Sequence, residues 1–137
     1  MFSRIVVPVD LAHSDHLAKA LDTATDLARH YGATLTYVSV TAETPTSVAH
    51  NPKEFGEKLA EFARRRSEAD GVKIDTKAYT ATDPTIDIDS RLLRAAEEAN
   101  ADLVVIASHK PGLADYFWGS HGGHLAGHAT ISVFVVR

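Results

Sequence analysis

The chain of 137 residues contains no cysteine, and this absence excludes several kinds of chemistry. It can form no disulfide, hold no metal through thiolates and use no cysteine nucleophile. It also has no apolar run long enough to span a membrane, so we expect no membrane partner. Residues 1–5 lead directly into an apolar segment and lack the basic region and cleavage site of a signal peptide. We therefore expect a cytoplasmic location.

The charge balance excludes a further class of partner. The formal net charge is −4, which gives no overall attraction to nucleic acid, so we expect no nucleic-acid partner. Apolar residues make up 45% of the chain, an ordinary value for a globular protein with a proper core. No linker or low-complexity tract interrupts the sequence, and its length suits one domain over residues 1–137.

The hydrophobic pattern alternates between short β-branched runs and segments of helical period. The strand-like runs are residues 5–9, 35–40, 72–79, 101–107 and 131–136. The helical segments between them are residues 14–31, 52–70, 86–99 and 119–128. Such alternation predicts an α/β fold of three layers, with an open twisted five-stranded parallel sheet and helices on both faces.

Two loops carry the residues of interest, and they fix the expected strand order. One follows the first strand and the other follows the fourth. In an open parallel sheet a ligand lies beyond the carboxyl ends of the strands, where the strand order reverses. The two loops share a pocket only if the first and fourth strands are neighbours. We therefore predict the Rossmann-like order 3-2-1-4-5.

These loops combine an anion site with a carboxylate. After the fourth strand come a polar loop, residues 108–112, and a Gly119-Ser120 pair that opens a short helix. Free backbone N–H groups and the positive helix end favour phosphate there. Asp10 ends the first strand and offers a hydrogen-bond acceptor. The combination predicts a nucleotide pocket, although Asp10 and Ser120 could also serve simply as helix caps.

The histidines in the last third of the chain each allow two interpretations. His109 could act as a general base or as a loop residue with a backbone role, and no partner carboxylate is identifiable nearby. His121, His124 and His128 share one helical face that could bind zinc or nickel. Because the predicted helix has only about three turns, we favour no physiological metal. Because no partner carboxylate for a histidine base is identifiable, we assign no catalytic residue.

The sequence resembles the universal stress protein family along essentially its whole length. The resemblance rests on residues 5–10 (IVVPVD), residues 101–106 (ADLVVI) and the segment from Gly119 to Arg137. It implies an adenine site made by the aspartate after the first strand and a backbone segment ending the second. The matching positions here are Pro8, Val9, Asp10 and Val40.

The resemblance also implies a phosphate site, for ATP, ADP or AMP with Mg²⁺. Nucleotide binders of this family carry a G-x2-G-x9-G-[ST] loop after the fourth strand. Here Ala107 and Lys110 stand at the first two glycine positions, and the spacing to Gly119 is one residue shorter. Lysine there would offer charge to the phosphates. The implied phosphate contacts are Ala107, Ser108, His109, Lys110, Gly119, Ser120 and His121.

The last strand completes the expected assembly. It lies at a sheet edge in the predicted order, and an uncovered apolar edge strand pairs readily with another chain. We expect a homodimer through residues 131–137, as the resemblance also implies. The predicted function is an ATP-binding stress-response regulator. A slow ATPase on the same site and a dimeric interaction module that binds no nucleotide remain alternatives, and no P-loop sequence is present.

Overall fold

The computed structural model describes residues 1–83, 88–108, 126–127 and 129–137. Its elements in chain order are β1 (Arg4–Pro8), α1 (Ala18–Tyr31), β2 (Thr34–Ala42), α2 (Pro52–Asp70), β3 (Ile74–Ala81), α3 (Ile88–Glu98), β4 (Leu103–Ala107) and β5 (Ser132–Val136). A 3-10 helix, Leu11–Leu17, joins β1 to α1. The fourth predicted helix, 119–128, lies outside the described residues except for 126–127, which are helical.

The five strands form one parallel sheet in the order β3-β2-β1-β4-β5, which confirms the predicted order. β1 pairs with β2 from Arg4↔Thr34 to Pro8↔Val38 and with β4 at Val6↔Val104. All described pairings between neighbouring strands are parallel. The prediction of an open α/β fold with a five-stranded parallel sheet is therefore confirmed.

Alternate residues of the central strands pack on opposite faces of the sheet. One cluster joins Ile5, Val7 and Leu35 to buried residues of α1 and α2 such as Leu21 and Leu59. The other face has a separate cluster that includes strand and α3 residues: Val6, Val38, Val104, Ile106, Leu92, Ala95 and Ala96. Helices therefore cover both faces, as the unbroken apolar runs of β1 and β4 predicted.

Some predicted boundaries were wrong by a few residues. The helix expected from residue 14 begins as the 3-10 helix, and α1 starts only at Ala18. The strand expected to end at Val40 continues to Ala42, because Thr41 and Ala42 pair with Thr80 and Ala81 of β3. Partner strands extend each other in this way whatever the local composition, so tertiary pairing overrides the loop-like sequence after Val40.

The helix ends follow the expected local rules. Gly32 and Gly71 end α1 and α2 with φ of 66° each, a left-handed conformation that favours glycine. Asn51 caps α2 by accepting from the Glu54 N–H at 2.8 Å, and Pro52 lies in the first turn. Within the part of the chain that the structure describes, no helix has the length and apolarity to cross a membrane.

Asp102 joins the amino ends of two neighbouring strands. Its carboxylate accepts from the Ser3 N–H at 2.8 Å and the Arg4 N–H at 3.0 Å, and its own N–H donates to the Arg4 carbonyl at 3.0 Å. These bonds bridge about a hundred residues of chain at the point where β1 and β4 begin. Asp102 therefore fixes the register of the two strands that define the centre of the sheet.

We expect Asp102→Ala to lower the free energy of unfolding by about 1–3 kcal/mol, because two backbone N–H groups lose a charged acceptor. Asp102→Asn keeps one acceptor oxygen and should lose less. Asp75→Ala is the matched control, since Asp75 is an exposed carboxylate that pairs only weakly with Lys73 at 3.7 Å. Chemical denaturation measures all three, and an equal loss in Asp75→Ala and Asp102→Ala would contradict the assignment.

Candidate functional site

The strand order reverses between β1 and β4, and the space beyond the carboxyl ends of these two strands is called the crevice here. The chain runs from β1 through α1 to β2 on one side, and returns from β3 through α3 to β4 on the other. Counting onward from the pair Val6↔Val104 brings Ser108 level with Asp10. A doubly wound sheet binds its ligand at this switch point.

Six of the predicted site residues lie at this edge of three adjacent strands. Pro8 ends β1 and is followed by Val9 and Asp10, Val40 lies near the end of β2, and Ala107 ends β4 before Ser108. The other five lie outside the described residues: His109, Lys110, Gly119, Ser120 and His121. The structure thus brings together the four residues of the predicted adenine site and the first two residues of the predicted phosphate site.

Both carboxylate oxygens of Asp10 have a partner. Oδ1 accepts from the Ala12 N–H at 3.0 Å, and Oδ2 lies 2.9 Å from His13 Nδ1. The side chain is largely buried, with 15% of its surface exposed. The capping role considered for Asp10 is therefore real, since the residue caps the 3-10 helix. Each oxygen has two lone pairs, so capping leaves acceptor capacity for a ligand.

The backbone of Val40 points into the crevice. The last β1–β2 pair is Pro8↔Val38, and the Val9 N–H donates to the Val38 carbonyl at 2.8 Å. Residues two apart along a strand present their backbone groups to the same side. The N–H and C=O of Val40 therefore face the position beyond the end of β1, where Asp10 has already turned away into the 3-10 helix.

Ser39 donates a hydrogen bond to the neighbouring strand where the ladder stops. If the parallel ladder continued, the Val9 carbonyl would accept from the Val40 N–H. The Val9 carbonyl instead accepts from the Ser39 hydroxyl at 2.5 Å, and Ser39 is fully buried. Sequence reasoning missed Ser39, whose only signal is a small polar residue inside an apolar strand. It also missed His13, which lies three residues after Asp10.

The end of β4 is held from the other side. The Ser108 N–H donates to the Val136 carbonyl of β5 at 2.7 Å, and Ala107 is buried. Lys19 of α1 donates to the Arg137 carbonyl at 2.6 Å, which attaches the end of β5 to the same corner. The Ser108 N–H is therefore already used by β5.

The loop after β2 is tied to the start of α2. Lys58 donates to the Val48 carbonyl and lies 3.3 Å from Glu54. The backbone N–H of His50, its ring and Lys58 lower the pKa of Glu54 to about 2, so this carboxylate stays charged. A shallow cleft of about 280 Å³ runs between this loop and the 3-10 helix, lined by Leu11, Ser14, Val48 and Phe62 among others.

Among residues 1–83, 88–108, 126–127 and 129–137 there is no group of three or more His, Asp or Glu side chains placed to hold a metal ion. The face formed by His121, His124 and His128 lies outside those residues.

The fold and the crevice define a doubly wound α/β protein of Rossmann-like architecture, with a carboxylate and a backbone donor–acceptor pair at its switch point. The model of the universal stress protein family matches residues 1–137, and the chain belongs to this family. The resemblance seen in the sequence is thereby confirmed.

Several known proteins are similar along the whole chain. Universal stress protein YxiE of Bacillus subtilis (strain 168) is 29% identical over 155 residues, with 100% of both chains covered. A crystal structure of a universal stress protein family member from Burkholderia pseudomallei has a TM-score of 0.72 and 27% identity, covering 98% of this chain and 95% of that one.

Two further structures carry nucleotides. A universal stress protein in complex with cAMP has a TM-score of 0.70 and 21% identity, covering 99% of this chain and 97% of its own. One from Archaeoglobus fulgidus in complex with dAMP has a TM-score of 0.69 and 18% identity, covering 98% of each chain. At these identities the likeness shows the fold.

We expect Ser39→Ala to lower the free energy of unfolding by about 1–3 kcal/mol, because the buried Val9 carbonyl loses its donor. The matched control is Ser67→Ala, since the Ser67 hydroxyl also donates to a valine carbonyl, that of Val72, at 2.8 Å but in a half-buried place. Urea unfolding measures both variants. A loss in Ser39→Ala no larger than in the control would contradict the structural role assigned to Ser39.

Proposed function

We propose that this protein binds an adenine nucleotide in the crevice and acts as a homodimeric, cytoplasmic regulator in the response to stress. ATP with Mg²⁺ is the ligand we propose first, with ADP and AMP sharing the same base contacts. Adenine lies between Asp10 and Val40, and the phosphates extend toward the loop after β4. Binding changes the surface offered to a partner protein, so turnover is not required.

The backbone of Val40 is the observation that carries this proposal. Its N–H and C=O face the crevice on the same side and offer one donor and one acceptor. Adenine presents the complementary pair, a ring nitrogen that accepts and a 6-amino group that donates. The second amino hydrogen is then available to the Asp10 carboxylate, whose oxygens only accept.

The phosphate side of the proposed site combines a hydroxyl with positive charge. The relatives in complex with cAMP and dAMP support a nucleotide in this fold. At the end of β4, Ser108 offers its hydroxyl, because its N–H is held by Val136. Lys110 supplies positive charge where family members carry glycine. We assign the remaining contacts to Ala107, His109, Gly119, Ser120 and His121.

The free edge of β5 supports the homodimer. β5 is the last strand of the sheet, so one side of its backbone has no partner strand within the described chain. Phe134, in the middle of β5, has 46% of its surface exposed, which is large for an apolar side chain. Antiparallel pairing of residues 131–137 with a second copy satisfies the edge and covers this ring.

Asp10→Ala should weaken AMP and ATP binding about 10- to 100-fold, the effect of losing a hydrogen bond to a charged group. Calorimetry on nucleotide-free protein with magnesium measures this, and Asp26→Ala serves as control because Asp26 is an exposed carboxylate of α1 paired with Arg29. Gly119→Val should affect ATP more than AMP. Wild-type protein that binds no adenine nucleotide would leave the dimeric interaction module as the function.

Phe134→Asp should convert the dimer to a monomer, because two buried charges would face each other across the paired β5 strands. Analytical ultracentrifugation measures the change. Thr76→Asp on β3, the opposite edge of the sheet, is the control and should leave the dimer intact. A wild-type protein that sediments as a monomer at high concentration would overturn this part of the proposal.

A further inference from the structure

His13 holds the carboxylate of Asp10 in one orientation. The ring Nδ1 lies 2.9 Å from Asp10 Oδ2, while the Ala12 N–H occupies Oδ1 at 3.0 Å. A carboxylate oxygen accepts and does not donate, so Nδ1 carries the hydrogen of this bond. Asp10 is thus bound at both oxygens by donors from the three residues that follow it.

The chain path around His13 fits this arrangement. The 3-10 helix that follows Asp10 is interrupted at His13, whose φ and ψ are −133° and 37°. The histidine side chain is 33% exposed, so a substitution there disturbs little of the core. The interruption falls at the residue whose ring returns to Asp10, and a regular helix begins only at Ala18.

We infer that His13 is a positioning residue that sets purine specificity, favouring 6-amino over 6-oxo nucleotides. This inference rests on the proposed adenine site. A carboxylate attracts a 6-amino group, which donates, and repels a 6-oxo group, which accepts. A freely rotating Asp10 could turn away and relieve that repulsion. Because both oxygens of Asp10 are held, the carboxylate cannot turn away. The repulsion between two acceptors therefore weakens the binding of an inosine or guanosine nucleotide in full.

The neighbouring histidine provides a matched comparison. His16 lies on the same 3-10 helix, with its ring centroid 6.3 Å from that of His13. Its Nε2 lies 3.8 Å from Asp15, at a more exposed position. His16 therefore shares the charge environment of His13, and the carboxylate that its ring faces is that of Asp15.

The test compares the dissociation constants of AMP and IMP, measured by calorimetry at one fixed pH. His13→Ala should reduce the preference for AMP over IMP about tenfold, the order expected for one hydrogen bond to a charged group. His13→Asn should keep the preference, because its amide nitrogen occupies nearly the place of Nδ1. His13→Gln, whose donor lies one bond further out, should lose it, and His16→Ala should keep it.

The outcomes separate this inference from the proposed function. If the wild-type protein binds neither nucleotide, the adenine site itself is wrong. If it binds AMP selectively and both His13→Ala and His13→Gln keep the wild-type ratio within twofold, His13 has no role in specificity. Should His13→Ala fail to fold, the Asn and Gln variants decide. If His13 had a purely structural role, its substitution would weaken the binding of AMP and IMP alike and leave the ratio of their dissociation constants unchanged.

Discussion

The arrangement of the whole molecule depends on the burial of β1 between β2 and β4. Ile5, Val6 and Val7 are each 1% exposed, so the strand contacts helices on both faces and strands on both sides. A place inside a sheet that is covered on both faces buries such a continuous apolar run. β2 and β4 then flank β1 at the switch point, and the residues that follow the carboxyl ends of these three strands are brought together. The position of the crevice is therefore a consequence of packing, before any polar residue is considered.

The polar residues decide which hydrogen-bond donors and acceptors the crevice offers. A parallel ladder that continued past Pro8 would use the Val40 backbone and close the space above β1. It ends where the buried Ser39 hydroxyl donates to the Val9 carbonyl and Asp10 turns the chain into a 3-10 helix. The Ser39 hydroxyl thereby satisfies a buried carbonyl that the ladder no longer pairs.

The fold could be predicted from the sequence, and the details of the site could be predicted only in part. Short β-branched or alternating apolar runs predicted all five strands of the described sheet, and the two strand-end loops predicted the correct strand order. Asp10 and Val40 were predicted as site residues from position and family resemblance. Ser39 and His13 were missed, because their roles depend on contacts that no local pattern records: a hydroxyl reaching an adjacent strand, and a ring that turns back on its own chain.

Asp10 illustrates why capping and ligand binding need not compete. A helix cap uses one lone pair of one oxygen, and the His13 ring uses one of the other. Both donors make the carboxylate less mobile, and each oxygen keeps a lone pair that can accept a further hydrogen bond. In the proposed adenine site, a ligand then meets an acceptor whose direction was fixed during folding, so little ordering remains for binding to accomplish. The hydrogen bonds that cap the 3-10 helix are, in this proposal, also those that let the site distinguish a donor from an acceptor.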